Sequence, residues 1–86
     1  MEFEFDQKKS KANLLKHGID FEDAKKLWLD TERIEIPAKN TDEPRFLIVS
    51  QMDGKYWSAI FTMRMNKIRI ISVRRARKNE IELYES

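Results

Sequence analysis

The stretch RFLIVSQMDGKYWSAIFTMRMNKIRIISV, residues 45–73, holds three apolar runs separated by two short polar breaks. RFLIVSQM (45–52), YWSAIFTMRM (56–65) and KIRIISV (67–73) each read as a strand, being rich in β-branched and aromatic residues. Asp53-Gly54 is the strongest hairpin signal in the chain, because a two-residue hairpin turn needs left-handed backbone that Asp and Gly tolerate. Asn66-Lys67 reads as a second short turn. Strands joined this tightly must run antiparallel.

Working outward, TERIEI (31–36) reads as a strand ended by Pro37, and AKNTDEP (38–44) as a polar loop. EFEF (2–5) alternates and reads as a short first strand. Asp6 is a candidate N-cap for a helix over QKKSKANLLKH, with Gly18 as its C′ residue and His17 in the last turn, where an imidazole suits the dipole. Asp20 can cap a second helix, FEDAKKLWL, whose Phe21, Ala24, Leu27 and Trp28 form one apolar stripe. ARKNEIELY (76–84) reads as the last helix, with Ile81 and Tyr84 on one side. The order β-α-α-β-β-β-β-α predicts a small single α+β domain, with helices packed on a mainly antiparallel sheet.

Composition narrows the chemistry. The 86 residues fit one domain and include no cysteine and a single histidine. Disulfides, thiolate catalysis and histidine-rich metal sites are excluded, and no cofactor is expected. The acidic, alternating N-terminus does not read as a signal peptide, and no apolar run approaches the ~18 residues of a membrane span. The expectation is a cytoplasmic protein with no membrane partner. Charge is divided along the chain. Residues 1–44 hold eight Lys/Arg and eleven Asp/Glu, whereas residues 45–86 hold nine and four. Seven basic residues and no acidic one lie between Arg64 and Lys78. Such asymmetry suits a basic face and a polyanionic partner, although a strand edge guarded by charge would look the same.

Alternation assigns faces. Trp57, Ala59, Phe61, Met63 and Met65 point one way and must meet the helices; Ser58, Ile60, Thr62 and Arg64 point the other. In the next strand Ile68, Ile70, Ser72 and Arg74 share a side, and Arg69, Ile71, Val73 and Arg75 the opposite one. A two-residue turn would set Arg64 against Arg69, two like charges. A three-residue loop or a bulge would instead gather Arg64, Thr62, Ser72 and Arg74 on one face, and this reading is favoured. Two arginine forks and two hydroxyls there make a phosphate clamp.

NLLKHGIDFEDA (13–24), with Asn13, Lys16-His17-Gly18, Ile19, Phe21 and Ala24, resembles the opening signature of the BrnT family of type II toxins. IRIISVRRARKNEIELYE (68–85), with Ile71, Ser72, Arg74, Ala76, Glu80 and Tyr84, resembles the closing one. Thr62 and Arg64 stand where members have Thr-x-Arg, and Glu43 and Arg45 where members often have Glu-x-Arg. Many members carry a histidine in the loop before the third strand; AKNTDEP has none. The resemblance implies a toxin domain over residues 1–86 with a RelE-like fold. It further implies metal-independent RNA cleavage by 2′-hydroxyl attack, leaving a 2′,3′-cyclic phosphate. The implied partners are RNA and a cognate antitoxin, a small DNA-binding protein, with which a higher assembly is an expectation. On this reading Arg64 and Arg74 are catalytic, and Lys39, Arg45, Arg75, Arg77 and Lys78 hold flanking RNA. Lys39, Glu43 and His17 are the candidates for a general base. The competing readings are a non-catalytic RNA- or ribosome-binding module and an interaction protein for an acidic partner.

Overall fold

Asp53 and Gly54 both adopt left-handed backbone (φ 54° and 75°), closing a two-residue turn between β3 (Arg45–Met52) and β4 (Lys55–Arg64) with Met52 opposite Lys55. The computed structural model describes residues 1–39 and 42–86; Asn40 and Thr41, in the expected 38–44 loop, lie outside them. The second hairpin turn falls on Met65 and Asn66 (φ 50° and 67°), one residue before the expected Asn66-Lys67, and sets Arg64 opposite Lys67 at the start of β5 (Lys67–Arg75). A bulge follows. Ile60 pairs with Ser72 but Phe61 pairs with Ile70, leaving Ile71 as the extra residue.

That single insertion re-aims half of β5. Ile68 and Ile70 face the same layer as Phe61 and Met63, and beyond the bulge Val73 and Arg75 continue that layer. Ser72 and Arg74 join Arg69 on the opposite face. The side expected for Ile68-Ile70-Ser72-Arg74 is therefore split, because strict alternation does not survive an inserted residue.

The remaining strands are at the sheet edges. β1 (Glu2–Glu4) pairs parallel with β5, and β2 (Ile34–Ala38) pairs antiparallel with β3, giving the order β1-β5-β4-β3-β2. Pro37 does not end β2 as expected. It sits within the strand opposite Phe46, which an edge position permits because one side of the strand needs no N–H.

On one face of the sheet lie α1 (Gln7–His17) and α2 (Phe21–Ala24), which tightens into a 3₁₀ segment, Lys25–Leu29, rather than continuing as the expected single helix. Asp6 accepts from Lys8 N and Lys9 N, and Asp20 from Asp23 N, as N-caps do. Gly18 closes α1 at φ 78°, its N–H donating to Leu14 O at 2.9 Å. Buried Ser10 accepts from Phe21 N, while buried Asn13 donates to Ile19 O and accepts from Val73 N. These bonds lock α1 to α2 and to the outer side of β5 past the end of β1. Phe21, Ala24, Leu27 and Trp28 are all buried with Ile48, Trp57, Phe61, Ile70 and Val73, and Trp28 meets the Phe61 ring edge-on at 5.3 Å. Met63 (50% exposed) and Met65 (94%) fall outside this core; Met65 is a turn residue, so alternation no longer governs it. The last helix, α3 (Lys78–Glu85), lies against the opposite face. The described residues form a small α+β domain on a five-stranded mixed sheet.

Candidate functional site

The face away from α1 and α2 is covered only in part. α3 begins two residues after β5 and folds back over the end of the sheet where β4 starts. Glu80 fixes it there. Its carboxylate accepts from both Nη atoms of Arg74 at 2.8 Å, from the Ser58 hydroxyl at 2.8 Å and from Arg77 N at 2.8 Å. Glu80 is 6% exposed, so this is a buried ion pair with its other lone pairs satisfied. It also sets a carboxylate in the first turn of a helix that opens on cations. At the other end of α3 the Tyr84 hydroxyl donates to Asp30 at 2.7 Å, which pushes the phenol up to about 12.

The Arg74 fork, together with Arg77 N–H and the Ser58 hydroxyl, holds the Glu80 carboxyl at about 2 against burial, which alone would raise it. A folded-state pKa below the unfolded one contributes stability in full above the ordinary value near 4.5, lost as pH falls toward 2. A depression of this size is worth about 3 kcal/mol. Urea unfolding between about pH 5 and pH 2 should show that loss in the wild type and a shallower one in Glu80→Gln. Equal slopes in the two proteins would remove Glu80 as the cause.

Where α3 stops, the face is open and basic. Thr62 stands opposite Arg69, and Arg45, one residue before the Phe46–Phe61 pair, flanks Thr62 on the other side. Arg64 is the diagonal neighbour of Arg69, about 7–8 Å away in backbone terms. Three arginines thus surround one threonine, with Lys67 beyond them and Ser72 toward α3. The Thr62 hydroxyl, 1% exposed, donates to Pro44 O and so fixes the Glu43-Pro44-Arg45 entry to β3. Two of the arginines reach carboxylates at longer range: Arg64 to Glu43 at 3.3 Å and Arg69 to Glu4 at 3.4 Å.

A family model described as "Ribonuclease toxin, BrnT, of type II toxin-antitoxin system" matches residues 5–80. The chain belongs to the BrnT family. Membership makes it a ribonuclease toxin of a type II toxin–antitoxin system, with RNA as substrate and an antitoxin as partner. No curated protein matches the chain. No helix among the described residues is long and apolar enough to cross a membrane.

Seen as a BrnT chain, its signature residues divide into two groups. Asn13, Gly18, Ile19, Phe21, Ala24, Arg74, Glu80 and Tyr84 hold the helices in place. Glu43, Arg45, Thr62 and Arg64 gather at the open face. Arg64 and Arg74 do share a face, as expected, and a bulge is the reason. They do not form one clamp: Arg74 pairs with Ser58, six residues along β4 from Arg64, a separation of ~20 Å at the rise of a strand. Arg74 is moreover bound to Glu80. Arg75 lies on the helix-covered face, its guanidinium 5.4 Å from the Trp57 ring centroid. Arg77 and Lys78 are exposed at the start of α3. Lys39 is exposed just past β2, at the end where Ala38 pairs with Arg45. His17, half-buried at the end of α1, belongs to the other side of the sheet. Arg69 was not expected at the site. Its placement opposite Thr62 depends on where the turn falls, and its signal in the sequence was the charge conflict with Arg64 that the register turns into a diagonal.

Proposed function

We propose that this toxin cleaves RNA on the open face of its sheet, with Arg45, Arg64 and Arg69 around Thr62 receiving the scissile phosphate and the one next to it. The observation that carries this reading is the strand register, which gathers three arginine positions around Thr62 on the part of the face beyond α3. In the reaction the 2′-hydroxyl gives its proton to a solvent water and attacks the adjacent phosphorus. Negative charge builds on the phosphorane oxygens, the P–O5′ bond breaks as the 5′-oxygen takes a proton from solvent, and a 2′,3′-cyclic phosphate remains. Arginine forks hold that charge without titrating, and preorganised donors of this kind supply the largest share of many rate enhancements. No histidine serves as base here, so positioning and electrostatics carry the rate. Among the described residues no group of three or more His, Asp or Glu is placed to hold a metal ion; the chemistry proposed is metal-independent, and the chelator experiment tests it.

The setting proposed is the cytoplasm. There the toxin is inhibited by a cognate antitoxin, a small DNA-binding protein, and assembles with it into a larger complex. The test is incubation of antitoxin-free protein with RNA in EDTA, followed by analysis of product ends. Cleavage should persist and leave cyclic or 3′-phosphate ends. Products with 3′-hydroxyl ends, or loss of activity in chelator, would refute the chemistry. Binding without any cleavage would favour a non-catalytic RNA-binding module.

A further inference from the structure

The arginines of this side of the sheet are held by carboxylates in two distinct ways. Arg74–Glu80 is short, at 2.8 Å, bidentate and largely buried. Arg64 also makes a fork with Glu43, but a long one at 3.3 Å, Arg69–Glu4 is a single contact of 3.4 Å, and all four side chains are between a quarter and a half exposed. The first kind is a fixed part of the fold. The second is worth little in water, because long side chains are ordered for a screened attraction. A phosphodiester offers an arginine the same fork, two oxygens sharing one negative charge, and an RNA strand repeats it at every step. Glu43 and Glu4 therefore occupy donor positions that an RNA phosphate would take, on the two arginines that stand diagonally across the β4–β5 pair. As diagonal neighbours on adjacent strands, the two arginines lie within reach of one RNA strand.

We propose that Glu4 and Glu43 are built-in competitors for phosphate, displaced together when one RNA strand lays successive phosphates on Arg69 and Arg64. This rests on the assignment of the open face to RNA. A lone phosphate must displace a carboxylate for a single new fork, and the remaining carboxylate still repels it. A strand that reaches both arginines displaces both and makes the second exchange within the complex, where its effective concentration is high. The pair thus sets a preference for extended RNA over isolated phosphoryl groups. Glu4 comes from β1 and Glu43 from the entry to β3, so the two flank the arginines from opposite sides of the β4–β5 pair.

The alternative is that these carboxylates preorganise the arginines for RNA, and it predicts the opposite sign. Binding of a fully 2′-O-methylated single-stranded RNA, which cannot be cut by 2′-hydroxyl attack, separates the two. Glu4→Gln and Glu43→Gln should each tighten binding by about three- to fivefold, the scale of losing one exposed ion pair. Inorganic phosphate should gain as a competitor in both variants. Glu35→Gln removes the same charge from the Arg33–Glu35 pair on the other side of the sheet and should change affinity by less than about twofold. Unchanged or weaker binding in Glu4→Gln and Glu43→Gln, or an equal gain in Glu35→Gln, overturns the proposal. Arg64→Ala and Arg69→Ala report on the underlying assignment. If they weaken RNA binding while the glutamine variants do not tighten it, the competitor role alone fails. If they leave binding intact, the face is not the RNA site and both fall.

Discussion

Arg74→Ala is expected to destabilise the domain by about 3–5 kcal/mol, the usual cost of leaving one member of a buried ion pair without its partner. The variant leaves Glu80 beneath α3 with only Ser58 and Arg77 N to serve its carboxylate. A loss of that size is a large part of the stability of a small domain, so the variant should unfold at markedly lower urea or temperature. Arg64→Ala, which breaks only an exposed pair with Glu43, should shift stability by less than about 1 kcal/mol. Glu80→Gln should cost less than Arg74→Ala because it removes the buried charge, and the Arg74→Ala/Glu80→Gln cycle should show strong coupling. An Arg74→Ala protein as stable as the wild type would show that α3 is held by other means. Loss of toxicity in this variant is therefore no evidence of catalysis until its fold has been checked.

Arg69→Ala should cut RNA cleavage by about two orders of magnitude, the scale of removing one donor from a transition-state oxyanion. Arg69 lies opposite Thr62 and its ion pair with Glu4 is partly exposed, so its loss should leave folding within about 1 kcal/mol of wild type. Arg64→Ala should lose a comparable factor. Because the two arginines are neighbours across one strand pair, the double variant should lose less than the product of the single losses. Lysine at position 69 should rescue poorly, since an ammonium cannot reproduce a bidentate fork. The readouts are cleavage in vitro and growth arrest on expression without antitoxin. An Arg69→Ala protein that is folded and fully active would move the site away from this triangle.

The strands of the central meander, both N-capped helices and the Asp53-Gly54 turn were legible because each rests on local chemistry: side-chain alternation, a capping carboxylate, two residues that tolerate positive φ. The split of the expected second helix at Ala24 was not, since tightening into 3₁₀ changes no apolar spacing that Phe21, Ala24, Leu27 and Trp28 report. Nor was the fate of Pro37, which depends on β2 being an edge. The site was half legible. Arg45, Thr62 and Arg64 were placed by alternation and by resemblance. Arg69 was misplaced because the turn falls one residue earlier than expected, on Met65 and Asn66, which sets Arg64 opposite Lys67 and Arg69 opposite Thr62; the bulge at Ile71 re-aims only Ser72 and the residues after it. Arg74 was read as a free cation because its partner lies six residues on, across a strand–helix junction whose fold-back is a tertiary event.

The parallel pairing of β1 with β5 has a consequence for how the protein is made. Residues 2–4 find their partners only at residues 67–69, and the Glu4–Arg69 contact spans 65 positions. On the ribosome the first strand is therefore synthesised early and waits, unpaired, until most of the chain has followed it. Contacts of such sequence separation form late and slow folding. β5 closes the sheet to β1 and also brings Arg69 beside Thr62, so an incomplete nascent chain can contain both early helices and still lack an assembled arginine triangle. On the proposed assignment of the site, its parts come together only once β5 has joined both β4 and β1.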